Sequence, residues 1–251
     1  MPTMTGFPFS GGTRGGFIEI MRKHIPNTIT CCNLLSGCIA AMYAFEGVYA
    51  LAFAFIIAGA VFDFFDGLTA RALKVSSPIG KELDSLADVI TFGFAPSAMV
   101  FNWLRECADV NLDMLPAFAM PFVAFLLAAF SALRLAKFNV DERQTSSFIG
   151  LPTPANALFW GGLALGSHDI MVVNPYGWML IVALVVLFSY LLVAEIPMFS
   201  LKFKSLAWKA NRTAYIFLIV SVILLVLLGF KGLSAVIGWY IILSVLTQKR
   251  G

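Results

Sequence analysis

Long apolar runs separated by short polar breaks dominate the chain from about residue 27 onward. A helix needs about 20 apolar residues to cross a bilayer. Eight runs approach that length, at roughly 27–45, 49–70, 83–104, 115–137, 154–171, 176–196, 213–230 and 233–247. The fifth is the softest, because GGLALG and the pair His168-Asp169 interrupt it. Ahead of the first run, residues 1–26 are polar, Gly-rich and basic (GGTRGG, then Arg22, Lys23 and His24), the pattern of a cytoplasmic or interfacial segment. Residues 27–251 read as one transmembrane domain. The expected fold is all-α, a polytopic transmembrane helical bundle of about eight spans (six to eight) with both termini cytoplasmic.

Composition excludes the soluble classes. Hydrophobic residues make up 60% and charged residues 12% of the 251, and mean hydropathy is +0.88. A soluble domain carries about 25% charged residues. A net charge of +3 is too mild to argue for nucleic acid. The placement of the charges says more. With eight spans, 15 of the 17 basic residues fall on the side of the termini, and only Arg105 and Lys231 lie opposite. The positive-inside rule assigns that side, and the loops carrying Arg71, Lys74, Lys81, Arg134, Lys137, Arg143, Lys202, Lys204, Lys209 and Arg212, to the cytoplasm of a cell inner membrane. The four cysteines, Cys31, Cys32, Cys38 and Cys107, form no CxxC pair and read as small apolar fillers.

One stretch departs from the apolar pattern. In FDFFDGLTARALKVSSPIGKELDSLADVITFGFAP, residues 62–96, Asp63 and Asp66 close one apolar run (YALAFAFIIAGAVF) and Asp84 and Asp88 open the next (VITFGFAPSAMVFNWL). A carboxylate at membrane depth costs several kcal/mol unless it is paired, solvated or bound to a cation. Spacings of three and four put each pair on one face of a helix. The intervening loop is short, so the two helices are expected to lie antiparallel with the pairs facing each other. An all-oxygen cluster suits Mg²⁺ or Mn²⁺ better than a soft metal. Gly67, Ala70 and Gly80 leave room for a bulky ligand near the backbone. Arg71, with Lys74 and Lys81 nearby, can hold a phosphate. The set describes a diphosphate site. Each feature also has a plainer reading: a lone Asp pair is ordinarily a solvated helix end, the basic residues fit a topological role equally well, and the glycines fit helix packing.

The spacing Asp63-x2-Asp66-Gly67-x2-Ala70-Arg71-x8-Gly80-x3-Asp84-x3-Asp88 reproduces every position of the signature of the CDP-alcohol phosphatidyltransferases, and the chain resembles that family. IPNTITCCNLLSG (25–37), SALRLAKFNV (131–140) and FIGLPTPANA (148–157) are similar to the bacterial integral-membrane members that use serine as acceptor. The resemblance implies CDP-diacylglycerol and L-serine as substrates, phosphatidylserine and CMP as products, two Mg²⁺ or Mn²⁺ ions as cofactors, and a homodimer. It implies metal ligation by Asp63, Asp66 and Asp84, with Asp88 as the catalytic base and also near a metal. Gly67, Ala70, Arg71, Gly80, Asn27 and Thr30 would contact the CDP group. Arg134, Lys137, Asn139 and Asn156 are the candidates for an acceptor or phosphate pocket.

Other readings stay open at this point. An intramembrane prenyltransferase also uses two acidic motifs, though widely separated ones. A divalent-cation transporter would place acids nearer the bilayer midplane. Within the family, glycerol 3-phosphate or an inositol phosphate is the alternative acceptor. Gly150, Pro152 and Pro154 are expected to shape an entry loop before a helix. His168 reads as structural or solvated, alone on the far side.

Overall fold

A computed structural model describes residues 13–110, 119–141, 148–198 and 211–248, with the backbone alone for 13–23, 148 and 248. Arg143, Lys202, Lys204, Lys209, Lys249, Arg250 and Asp113, and the side chains of Arg14, Arg22 and Lys23, lie outside the described residues. The helices are α1 (Thr13–Phe45), α2 (Tyr49–Leu73), α3 (Pro78–Asp88), α4 (Ala95–Val110), α5 (Leu126–Val140), α6 (Thr153–Val173), α7 (Gly177–Val193), α8 (Arg212–Leu228) and α9 (Leu233–Gln248). A π-helical turn, Val89–Phe94, joins α3 to α4 without a break, and a 3₁₀ turn, Met120–Phe125, leads into α5. Two short strands, β1 (Phe148–Ile149) and β2 (Pro197–Met198), pair antiparallel.

Five helical stretches are long and apolar enough to cross a membrane: His24–Phe45, Tyr49–Leu73, Pro78–Val110, Met120–Val140 and Arg212–Thr247. The chain is an integral membrane protein of helical class. The last stretch folds back on itself at Gly229 (φ +60°), so that the Phe217 ring meets Tyr240 at 5.9 Å. The apolar helix α7, at 17 residues, is shorter than the five. Two boundaries differ from the sequence reading. Helix α1 begins at Thr13 rather than near residue 27, because Pro26 removes one backbone donor without ending the helix. The third run starts at Pro78, where Ser77 caps α3 by accepting a hydrogen bond from the Gly80 N–H at 3.0 Å and Pro78 occupies the first turn.

Helix α1 packs against α2, α3 and α4, while α6 packs against α2, α4 and α9. Trp103, Trp160, Phe53, Phe92, Ile56 and Met99 fill the interior where these helices meet. The acidic pairs do approach each other, but α1 is the helix that contacts both acidic segments along its length. Thr91, in the π-helical turn, is the tightest junction. It donates from Oγ1 to the Asn33 carbonyl at 3.0 Å. A Cβ on Gly37 would stand 2.8 Å from the Thr91 Cα, and one on Gly59 would stand 2.9 Å from Asn33 Oδ1. Two glycines therefore let α1, α2 and the π turn close together beneath the acidic segment.

His168 is not alone, contrary to the sequence reading. Its ring contacts Glu106 and Asp169 and lies against Tyr49 and Trp103. Tyr49 Oη donates to Glu106 Oε1 at 2.8 Å, and Asn102 donates to the same oxygen at 2.7 Å. This polar brace ties α2, α4 and α6 at the end remote from the acidic pairs.

Candidate active site

The last turns of α2 carry Asp63 and Asp66, and α3 carries Asp84 and Asp88. A four-residue connection, 74–77, reverses the chain between them. Lys74 closes α2 in the left-handed region (φ 52°), with its N–H returned to the Ala70 and Arg71 carbonyls. This tight reversal brings one carboxylate oxygen each from Asp63, Asp66 and Asp84 within 4.8 Å of one another. Asp66 is buried, while Asp63 and Asp84 are half-buried. Thr30 on α1 donates to Asp66 Oδ2 at 2.6 Å. Asp63 also contacts Asp88, which is buried and receives the Asn33 amide at 3.4 Å. Three acids thus converge, and the fourth stands beside them on an amide from α1.

The cluster opens onto a cavity of about 200 Å³ lined by Pro26, Asn27, Thr30, Asp66, Gly67, Ala70, Val75, Ser76, Ser77, Gly80, Lys81 and Asp84. Five of the six positions expected at the CDP group, Asn27, Thr30, Gly67, Ala70 and Gly80, are at this wall. Arg71 is exposed, one turn beyond Gly67, and is not part of the lining. Gly80 is small for a reason: a Cβ there would sit 3.0 Å from both Asn27 Oδ1 and Ser77 Oγ.

The expected acceptor residues divide. Arg134 and Lys137 line a second cavity of about 390 Å³. Asn139 does not: it donates to Ser85 Oγ at 2.9 Å, and its carbonyl accepts from Lys81 Nζ at 3.0 Å, so it fastens α5 to α3. Asn156 is fully buried, accepts from Trp160 Nε1 at 3.2 Å, and is likewise absent from that wall. Pro152 precedes α6 and Pro154 lies in its first turn, as expected of a helix entry.

Sequence reasoning passed over Pro26, Val75, Ser76 and Ser77 in the first cavity, and Asn33 beside Asp88. Two signals pointed to them. Asn27, Thr30 and Asn33 recur at a spacing of three, a polar stripe on one face of an apolar helix. Ser77-Pro78 is a helix start.

The donors at the cluster are oxygens alone, close enough to share a small ion, and the carboxylates fit a hard divalent cation. A helical bundle with such a cluster beside a cleft between three helices has the donor set for a hard divalent cation. Residues 23–190 match CDP-alcohol phosphatidyltransferase, and the chain belongs to that family of phosphatidyl-transfer enzymes. Among similar proteins is the CDP-diacylglycerol–serine O-phosphatidyltransferase of Bacillus subtilis (strain 168), 35% identical over 136 residues, which are 53% of this chain and 70% of that protein. The protein of the same name from Helicobacter pylori (strain ATCC 700392 / 26695) is 29% identical over 223 residues, 88% of this chain and 89% of the relative. That of Methanocaldococcus jannaschii is 34% identical over 138 residues, 55% of this chain and 59% of the relative.

Proposed function

We propose that this protein transfers the phosphatidyl group of CDP-diacylglycerol to the hydroxyl of L-serine, giving phosphatidylserine and CMP. The observation that carries the reading is the convergence of Asp63, Asp66 and Asp84, the last two of which line a cavity shared with Asn27, Thr30, Gly67, Ala70 and Gly80. Asp63, Asp66 and Asp84 would hold Mg²⁺ or Mn²⁺, two ions in all, with Asp88 adjoining them. Bound there, divalent ions supply neutralising charge to the diphosphate and to the departing CMP.

The chain's own residues do the rest. Thr30 holds the Asp66 carboxylate in place. Gly67, Ala70 and Gly80 keep the wall open for the nucleotide, Asn27 and Thr30 offer it polar groups, and Arg71, exposed one turn beyond Gly67, would be available to a phosphate. The serine hydroxyl is a weak nucleophile, so a carboxylate within hydrogen-bond reach must take its proton. Asp88, oriented by the Asn33 amide, is assigned that role. The serine oxygen bonds to the phosphorus that bears the lipid, the bond from that phosphorus to CMP breaks, and the proton passes to Asp88. No covalent enzyme intermediate is involved. Arg134 and Lys137 belong to the acceptor side.

A site at the cytoplasmic edge of the bundle would meet water-soluble CDP and serine while the acyl chains stay in lipid. The protein is accordingly read as a multi-pass protein of the cell inner membrane, one transmembrane domain after an N-terminal segment, working as a homodimer. The test is an assay of purified protein with CDP-diacylglycerol, Mg²⁺ or Mn²⁺ and a panel of alcohols. Serine-dependent release of CMP, lost on chelation and in each of Asp63→Asn, Asp66→Asn, Asp84→Asn and Asp88→Asn, is the expected result. Exchange of labelled CMP into CDP-diacylglycerol without serine would overturn direct displacement, and glycerol 3-phosphate outperforming serine would overturn the acceptor.

A further inference from the structure

The second cavity carries charges of both signs: Arg134, Lys137 and Asp141 from α5 and its C-terminal cap, and Glu195 from the link after α7. Arg134 and Lys137 reach it from α5, three residues apart and so on one helix face. Arg134 is only 7% exposed. Its Nη1 rests on Thr153 Oγ1 at 3.5 Å, and its Nε has no hydrogen-bond partner. A buried guanidinium with an unused donor is costly until an anion completes it. Helix α5 packs against the π-helical turn that begins directly after Asp88, and Asn139 ties α5 to Ser85 on α3, so Arg134 stands on the helix beside the segment that carries the proposed base. Glu195, an exposed residue, enters the lining from the link that follows α7, and its carboxylate makes no ion pair among the described residues. The link is held in place by backbone bonds: Gly150 N–H donates to the Ile196 carbonyl and Leu151 N–H to the Leu191 carbonyl, each at 2.9 Å. Gly150 (φ +78°) permits this, since a Cβ would stand 2.6 Å from the Leu192 carbonyl oxygen.

We propose that this cavity is the acceptor subsite and that Glu195 is a specificity-determining residue in it: Arg134 and Lys137 take the carboxylate of an α-amino-acid acceptor, and Glu195 takes its ammonium. The inference rests on the reading that the acceptor gives its hydroxyl proton to Asp88. An amino acid presents carboxylate, ammonium and hydroxymethyl groups from one carbon. Two ionic contacts therefore fix the direction of the third, which is the positioning that the displacement requires. An acceptor without the ammonium leaves Glu195 unpaired and facing another anion. One without the carboxylate leaves Arg134 incomplete. A site built for both groups rejects analogues that lack either.

The test uses the full-length protein in detergent with CDP-diacylglycerol and Mg²⁺. Serine is the substrate, and glycerate (no ammonium) and ethanolamine (no carboxylate) are competitors. In Glu195→Gln the serine KM is expected to rise about tenfold and kcat to fall as well, because the hydroxyl loses one of the two contacts that aim it. Inhibition by ethanolamine should weaken and inhibition by glycerate should not. Glu195→Asp should recover part of the serine affinity, and an unchanged KM for CDP-diacylglycerol reports an intact fold. A serine KM unmoved by Glu195→Gln, or equal losses against all three compounds, overturns the subsite while leaving the reaction standing. No serine-dependent product from the unaltered protein overturns the reaction itself, and the subsite with it.

Discussion

Thr30 makes the shortest polar contact to the acidic cluster, a 2.6 Å donation to buried Asp66. Thr30→Val keeps the shape and deletes the donor. Residues that orient metal-binding carboxylates typically change metal affinity by about 10–100-fold when removed. The Mg²⁺ concentration for half-maximal activity should rise within that range, as read by a metal titration of CMP release. Gly80 is a second point of leverage. Gly80→Ala puts a methyl against Asn27 and Ser77 at 3.0 Å. Because those side chains form the cavity wall, the expected effect is a higher KM for CDP-diacylglycerol with a smaller change in melting temperature. Asp63, Asp66, Gly67, Ala70, Gly80, Asp84 and Asp88 were all legible as members of one candidate site because their spacing is local, within one helix–turn–helix. Asn33 was not singled out, since its relation to Asp88 spans 55 residues and exists only after α1 packs.

At the scale of elements, the π-helical turn Val89–Phe94 begins immediately after Asp88. It puts Thr91 where α1 and α2 have only glycine to offer. Gly59→Ala would drive a methyl into Thr91 and Asn33. Overpacking of this kind costs about 1–3 kcal/mol, so a lower melting temperature in detergent is expected, with activity falling as Asn33 shifts from Asp88. Thr91→Val, which removes only the bond to the Asn33 carbonyl, should cost less, about 1 kcal/mol. Apolar periodicity located these helices well. It could not reveal the π turn, because an extra residue in a turn leaves no mark on an already continuous apolar run. It also began the first span near residue 27, because the residues before it are polar, whereas α1 runs from Thr13 through Pro26.

Across the whole molecule, the acidic cluster and the Glu106–His168 brace occupy opposite ends of the bundle, and the proposed topology, which rests on the positive-inside rule, would put the former on the cytoplasmic side. In a cysteine-free background, a membrane-impermeant thiol reagent added to intact cells should label Lys231→Cys and spare Lys81→Cys. The reverse pattern would invert the topology. The amino-acid sequence by itself determined that the chain is a helical membrane protein and which acids could come together, because both follow from local quantities: run length, hydropathy and residue spacing along a helix. It did not determine which polar residues share a cavity. Asn139 and Asn156 looked as available as Arg134, yet one fastens α5 to α3 and the other is sealed beside Trp160. Glu195 and Arg134 met at one cavity only through the packing of α5 against α7 and the backbone bonds at Gly150. Such contacts join residues dozens of positions apart, and only the packing of the folded chain chooses among the many pairings that an apolar sequence allows.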